Sequence, residues 1–412
     1  MNGLGRNHDR ELGIVVRLST ACVVGASIVL VGCSGAPSAP ERVAASATGD
    51  ASLPPATSTN VAAPDPRAAP PAVRPPGPLA GPPDPGPSST DRGRAVTAGA
   101  VGPGSAIERR PWRYGDAEGL EIVTPRFRFF TTVTDERMLR PLPILMEQAQ
   151  VQYTSALGPL PAPPGRLETY LFNRRSEWAQ HTKDLLGSDA GPYLSIGRGG
   201  YTTEAQSVLF NLGREDTFTL AIHEGWHQYT QATFRESLPV WLEEGIACYM
   251  EGHRFRRSEE VPTFMPWRNL ERFGELRSAV SGDRLIDLDR LLNGSPQSFL
   301  GEGRNPMLVY YAQVWALVMF LSEGEDGRYR DALHQVVLDA AEGRLRSRLA
   351  ESNPGSGGHR RGVGGVRSRD ILRTYFNTDL SQLQEQYSRF VQEIAASGNS
   401  TAVWRGRSPL TP

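Results

Sequence analysis

The spacing of apolar residues divides the folded part of this chain into a β-containing stretch and a helical stretch. Segment 120–133 alternates apolar and polar positions and is rich in β-branched and aromatic residues, as strands are. Residues 134–157 follow a helical pattern, with Thr134, Asp135 and Glu136 at its start. The next predicted elements are a strand over 166–172, a helix over 174–186, and short strands over 193–196 and 207–211 around a Gly-rich turn at 197–200.

A helix over 217–233 follows the last strand, and beyond residue 235 the pattern is mostly helical. After a helix over 237–251, the predicted helices are 269–279, 287–292, 306–321, 326–341, 369–376 and 380–396. We therefore expect an α+β fold over 111–400, with a small mixed sheet in an N-terminal lobe (111–235) and a helical C-terminal lobe (236–400). Strand 207–211 is our candidate for a sheet edge that a peptide could join as an extra strand.

The helix over 217–233 contains the sequence His-Glu-Gly-Trp-His at 223–227. Residues four apart lie on the same helical face, so His223 and His227 can offer one nitrogen each to a single ion. Glu224 then stands beside that ion, where it can hold a metal-bound water and take its proton. The alternative is a surface helix with two hydrogen-bonded histidines and a glutamate.

The next helix can supply a third ligand. Ser237 is placed to cap it and Pro239 to occupy its first turn. A short connection after Phe234 predicts antiparallel helices, and a rise of about 1.5 Å per residue puts His227 and Glu244 at similar heights, about 10 Å and 9 Å from the turn. Glu244 can thus complete a His₂Glu set for Zn²⁺. Glu243 points about 100° away from Glu244, so it lies either in solvent or next to the ligand residues without binding the ion. Glu244 could otherwise be an exposed helix charge.

These residues resemble the gluzincins, a group of zinc metallopeptidases, and in particular bacterial peptidase-MA-like proteins. The resemblance rests on three blocks: the HEGxHQ motif at 223–228, LPxWLxEG at 238–245, and a Tyr-x-Gln-x-Trp-Ala-Leu block at 311–317. It covers roughly residues 115–395. It implies a zincin-like fold in which His223, His227 and Glu244 bind the metal and Glu224 is the general base.

Two departures from the family pattern affect what is expected. The thermolysin-like pattern has an aspartate, which orients a ligand histidine, where this chain has Cys248; Glu251 could take that role, or belong to an ordinary helical pattern. We expect Cys248 itself to be a small buried hydrophobe. The exopeptidase motif Gly-x-Met-Glu-Asn is absent, which disfavours aminopeptidase activity.

Two tyrosines stand at the start of the third block: Tyr310 precedes it and Tyr311 is its first residue. By the same resemblance, Tyr310 or Tyr311 could lean over the metal and stabilise an oxyanion, and we take Tyr311 as the candidate. Both could instead be aromatic residues of a buried helix. His253 and His334 are weaker candidates for the same role.

The N-terminus resembles a bacterial lipoprotein signal. Arginines flank an apolar run over 18–32, which is followed by Cys33. Cleavage there would leave Cys33 lipidated and anchor the protein to a membrane outside the cytoplasm, and Ser34 after it favours the outer membrane or cell surface. An ordinary secretory signal is the alternative. Residues 34–110, rich in Pro, Ala and Gly, are expected to form a disordered tether.

Charge and cysteine content narrow the possible functions. The formal net charge is −1 and no basic stripe is evident, so we do not expect a nucleic-acid partner. Three cysteines, two of them in or at the end of the signal segment, leave no disulfide framework.

Together these features predict a membrane-anchored zinc metallopeptidase, specifically an endopeptidase, with a peptide or protein substrate. The rival prediction is a non-catalytic surface lipoprotein that uses the same scaffold to bind a peptide or a cell-wall component. A third prediction is hydrolysis of a cell-wall amide at the same metal.

Overall fold

The computed structural model describes residues 107–255, 261–299, 305–352 and 366–410. The predicted signal segment, Cys33, nearly all of the predicted tether and the Gly- and Arg-rich segment 355–365 lie outside the described residues. The first strand begins at Glu108, so the folded part extends slightly into the range predicted as tether.

The N-terminal half contains a six-stranded mixed sheet. Its strands, in chain order, are β1 (Glu108–Tyr114), β2 (Ala117–Val123), β3 (Phe127–Thr131), β4 (Leu167–Phe172), β5 (Gly200–Thr203) and β6 (Gln206–Phe210). The spatial order is β1-β2-β3-β4-β6-β5. The hairpin neighbours pair antiparallel, whereas β3–β4 and β4–β6 are parallel, because helical crossovers join those strands.

Helices cover both faces of this sheet. They are α1 (Glu136–Leu139), α2 (Pro141–Tyr153), α3 (Arg175–Leu186), α4 (Gly191–Leu194) and α5 (Arg214–Thr233). Along β6, Leu209 belongs to the main core with α2 and α5, whereas Val208 and Phe210 pack with Trp178 of α3 in a second cluster. Because successive side chains of a strand point to opposite faces of the sheet, β6 contributes to a hydrophobic layer on each face. Asp135 caps α1, as predicted.

Helices dominate the rest of the chain. They are α6 (Val240–Met250), α7 (Leu270–Ser281), α8 (Leu288–Asn293), α9 (Pro306–Gly327), α10 (Arg330–Glu342), α11 (Leu345–Ser352), α12 (Ser368–Thr374), α13 (Leu380–Ile394) and α14 (Ser400–Trp404). A two-stranded ribbon of β7 (His253–Arg254) and β8 (Thr263–Phe264) follows α6. The observed fold is thus mixed α and β, as the sequence predicts.

α9 lies at the centre of this helical part and packs against α6, α7, α8, α10 and α13. By length and composition alone it could cross a membrane, yet 89% of its apolar window is buried inside the protein. Core helices of soluble proteins have the same properties. The backbone leaves helical geometry at Gly324, Glu325 and Asp326, which explains why the apolar pattern stops near residue 321.

Some local expectations are wrong. The predicted strand 193–196 overlaps the end of α4, where Pro192 favours the first turn of a helix. The predicted edge strand 207–211 corresponds to β6, which lies inside the sheet. The strand at that edge of the sheet is β5. β5 has no predicted counterpart, because it begins at Gly200, where a side chain would collide with Leu209.

The predicted cap of α6 is also wrong. The helix begins at Val240, and Pro239 is its N-cap residue, with an extended backbone (ψ 148°) and no side-chain capping bond. A proline disfavours helical geometry in the residue before it, so Leu238 and Ser237 stay outside the helix.

Candidate metal centre

Helices α5 and α6 carry the residues of the candidate site. His223 and His227 lie one turn apart on the buried face of α5, and their side chains are 0% and 3% exposed. Glu244 lies in the middle of α6, with a side chain 4% exposed. The short link between the two helices brings these three residues together inside the protein.

The ligand atoms of the three residues converge on one point. The Nε2 atoms of His223 and His227 are 3.2 Å apart. Oε2 of Glu244 lies 3.3 Å from Nε2 of His223 and 3.5 Å from Nε2 of His227. This trio is one of two groups in the described residues whose spacing could hold a metal ion.

Carboxylates orient both histidine rings from behind. Nδ1 of His223 lies 2.8 Å from Oε1 of Glu251, and Nδ1 of His227 lies 3.0 Å from Oε1 of Glu243. An ionised carboxylate only accepts hydrogen bonds, so each Nδ1 carries a proton, and Nε2 of each neutral ring has a lone pair for a metal ion. Helix α6 therefore supplies one candidate ligand and the orienting carboxylate of Glu243, and its C-cap residue supplies the carboxylate of Glu251.

Glu251 belongs to a further set of buried polar groups. Arg272 of α7 donates to it from Nε at 3.2 Å and from a terminal nitrogen at 2.9 Å, and Asn269 donates from its amide. Burial opposes ionisation of Glu251, but the charge of Arg272 and the bond from His223 together lower its pKa to about 2. Glu251 is thus an anion that keeps the ring of His223 in one orientation.

Glu224 is bound at only one of its two carboxylate oxygens. The hydroxyl of Thr202, on β5, donates to Oε2 at 2.7 Å and also lies 3.1 Å from the Glu224 carbonyl. Oε1 is buried and has no hydrogen-bond partner. Burial raises the pKa of Glu224 above its ordinary value in the metal-free protein. A raised pKa and an open oxygen suit a group that takes up a proton.

Tyr311 lies beside the histidines and Tyr310 is turned away. The ring centroids of Tyr311 and His223 are 6.1 Å apart, and the guanidinium of Arg272 lies 5.1 Å above the Tyr311 ring. Tyr310 packs against Phe299, and its hydroxyl lies 3.4 Å from the Gly294 carbonyl. Burial raises the pKa of Tyr311 well above its usual value, so its hydroxyl stays protonated as a donor.

The second possible metal group consists of His223, Cys248 and Glu251. It is a poor cation site, because Arg272 already neutralises Glu251. Burial raises the pKa of Cys248 well above its ordinary value, so the residue is a thiol and not a thiolate ligand. His253 and His334 bond instead to the backbone carbonyls of Glu251 and Pro159.

The main trio fits a divalent cation. Two Nε2 lone pairs facing each other at 3.2 Å repel unless a proton or a cation lies between them. Oε1 of Glu224 is buried without a hydrogen-bond partner, which is costly in a folded protein. Oε2 of Glu244 faces the two Nε2 atoms at 3.3 Å and 3.5 Å. Although burial opposes ionisation of Glu244, the nearby histidines hold its pKa well below the usual range. The structure therefore contains a buried His and Glu group that could hold a metal ion.

The sequence alone did not reveal every residue of this centre. Thr202, Asn269 and Arg272 reach it from β5 and from the start of α7, and no motif or spacing in the sequence marks them. Gln228 is buried, and its amide ties α5 to the backbone of Glu168 and Ala205.

Comparisons of this chain with protein-family models, with curated proteins and with solved structures gave no match. The chemistry of the centre has to be inferred from its own residues.

Proposed function

We propose that this protein is a zinc-dependent peptidase, in which His223, His227 and Glu244 hold the ion and Glu224 is the general base. One observation carries the proposal: Glu224 lies next to a converging His₂Glu set, with one oxygen fixed by Thr202 and the other unpartnered. A site that bound zinc only for structure would have no use for a buried carboxylate placed in this way.

The donor set favours zinc. Two imidazole nitrogens and one carboxylate oxygen are typical of catalytic zinc sites, which keep a position open for water or substrate. A bound Zn²⁺ supplies a Lewis acid that acidifies water and polarises a carbonyl group. Glu251 and Glu243 support this binding by fixing the ligand rings in the required tautomer.

Glu224 would move the proton of the reaction. Its open oxygen, Oε1, takes a proton from the attacking water as the water oxygen bonds to the peptide carbon. The same proton then passes to the amide nitrogen as the C–N bond breaks, and Glu224 returns to its ionised form. Tyr311 remains our candidate for stabilising the oxyanion, because it lies next to His223 and keeps its hydroxyl proton.

The edge strand β5 is the proposed place for the substrate backbone. Thr202 on this strand contacts Glu224, so a peptide paired with β5 would lie beside the base. A mixed sheet followed by an HExxH helix and a helical part is compatible with a zincin-like arrangement. From the lipoprotein-like N-terminus we further infer attachment through Cys33, outside the cytoplasm.

The test is hydrolysis of a quenched fluorescent peptide library and of casein by the zinc-loaded protein and by Glu224→Gln. The variant should keep the metal and lose at least about 1,000-fold in rate, since it keeps the shape of the side chain but cannot accept the proton. Retained hydrolysis in Glu224→Gln would refute the mechanism. Wild-type protein that binds zinc and cleaves neither probe would favour the non-catalytic binding lipoprotein or a cell-wall amide as substrate.

A further inference from the structure

Arg272 is a fully buried arginine directly behind the candidate metal centre, and the proposed chemistry gives it no role. Its side chain is 2% exposed. It lies at the start of α7, whereas the candidate ligands lie on α5 and α6. A buried guanidinium is costly unless it is fully paired, so its partners indicate why it is there.

Its first partner is Glu251. The two make a forked pair, in which the guanidinium donates to both carboxylate oxygens. Oε1 also accepts from Nδ1 of His223, and Oε2 accepts from Asn269. Both oxygens are therefore held, and the plane of the carboxylate cannot turn. A planar fork restricts a carboxylate in this way, whereas a lysine ammonium would act as a point charge.

Its second partner is the ring face of Tyr311. The centre of the guanidinium lies 5.1 Å from the ring centroid, within the range of a cation–π contact. Tyr311 is itself packed edge-on against His223. One rigid, planar group thus contacts two residues that border the His223 ring, Glu251 at the C-terminal end of α6 and Tyr311 of α9.

We propose that Arg272 is a positioning residue for the metal centre, which fixes the His223 ring by holding Glu251 and Tyr311 in place together. The proposal rests on the proposed zinc site but not on peptide hydrolysis. It implies that zinc affinity and the geometry of the bound ion depend on a residue that does not bind the ion.

The chain contains a natural control for this arrangement. Arg348 bonds to the buried carboxylate of Asp339 at 2.9 Å and lies 5.6 Å from the ring of Tyr375, whose hydroxyl donates to Asp339. An arginine, a buried carboxylate and a tyrosine meet there too, with no histidine among these contacts. A change at Arg348 therefore also removes an arginine from a buried carboxylate and a tyrosine, although the Arg348 side chain is 42% exposed and Arg344 bonds to Asp339 as well.

The experiment measures zinc affinity by competition with a chelator for the wild type, Arg272→Lys, Arg272→Met and Arg348→Met. The visible spectrum of the Co²⁺-loaded proteins gives a second readout, because it depends on ligand geometry. Both Arg272 variants should bind zinc roughly 10- to 100-fold more weakly, Lys less so than Met, with a changed Co²⁺ spectrum. Arg348→Met should keep the wild-type affinity and spectrum.

Wild-type affinity and spectrum in folded Arg272→Lys and Arg272→Met would overturn the proposal, as would an equal loss in Arg348→Met. If Arg272→Met does not fold, Arg272→Lys carries the test, because it keeps the buried charge and removes only the planar fork. Wild-type protein without zinc affinity would overturn the site and this proposal at once. If the protein binds zinc but hydrolyses no peptide, the proposed function is contradicted. The zinc affinities of the Arg272 variants then still decide whether Arg272 positions the site.

Discussion

Glu224 has the most unequal surroundings of any residue in the centre. One of its carboxylate oxygens is held by Thr202, and the other is buried without a partner. Thr202 also contacts Ser207 and the Glu224 carbonyl, so its own position is fixed from several sides. A carboxylate held at one oxygen leaves the other open, as the proposed general base requires.

Thr202→Val should therefore lower kcat/KM for a peptide substrate roughly 10- to 100-fold, because it removes a hydrogen bond to a charged acceptor. Zinc content should not change, since Thr202 is not a ligand. Thr202→Ser, which keeps the hydroxyl, should restore most of the activity. Thr203→Val makes the same change at the next position of β5 and should have little effect. Equal losses in Thr202→Val and Thr202→Ser would contradict this role.

Local spacing predicts the candidate ligands but not their supports. His223, His227 and Glu244 follow from a four-residue helical repeat and a short link between helices, and the structure brings all three together. Thr202 and Arg272 contact the site only because of the order of strands in the sheet and the packing of α7 against α9. Such long-range contacts leave no periodic pattern in a sequence.

At the scale of elements, the approach of α6 to α9 keeps the site compact. Gly245, next to Glu244, has no side chain between the two helices. A Cβ there would come within 2.7 Å of the Val314 carbonyl oxygen and 2.8 Å of the Val318 side chain. The helices can pack this closely only with glycine at that position.

Gly245→Ala should destabilise the protein by about 1–3 kcal/mol, because overpacking forces the helices apart. Gly274→Ala is the matched control within α7. A Cβ at Gly274 meets nothing within 4 Å, so the substitution should be neutral or stabilise by up to about 1 kcal/mol through helix propensity. Urea unfolding of both variants measures the difference. A Gly245→Ala variant as stable as Gly274→Ala would contradict the packing argument.

Many helices and strands could be predicted from the sequence, and others could not. Strand β4, helices α3 and α9, and the Asp135 cap match the expected positions closely. The edge strand β5 and the start of α6 differ, because Gly200 serves close strand pairing and Pro239 holds an extended cap. Glycine and proline ordinarily indicate a turn or a break, but here Gly200 begins a strand and Pro239 caps a helix.

At the scale of the whole molecule, metal binding should be linked to stability and to pH. Burial lowers the pKa of His227, but Glu244 and Glu243 raise it overall, well above its ordinary value, in the metal-free protein. Because the pKa of His227 is higher in the folded protein, its proton stabilises the fold at pH values below the unfolded-state pKa of about 6.5. This stabilisation is lost as the pH rises through the folded-state pKa. Zinc competes with this proton for Nε2, so zinc affinity should increase over the same range.

The increase in Tm caused by a fixed excess of zinc should therefore be larger at pH 8 than at pH 6. Differential scanning calorimetry of metal-free and zinc-loaded protein at the two pH values measures it. An increase that does not depend on pH, or one that is larger at pH 6, would show that protons and zinc do not compete for these histidines.

The most direct test of the central claim is the metal content of the purified protein, measured by elemental analysis beside His223→Ala. The proposed centre predicts about one zinc per chain in the wild type and its loss in the variant, because two ligands cannot hold the ion tightly. A wild-type protein that contains no zinc, even after reconstitution, would contradict the metal centre and the proposed enzyme function with it.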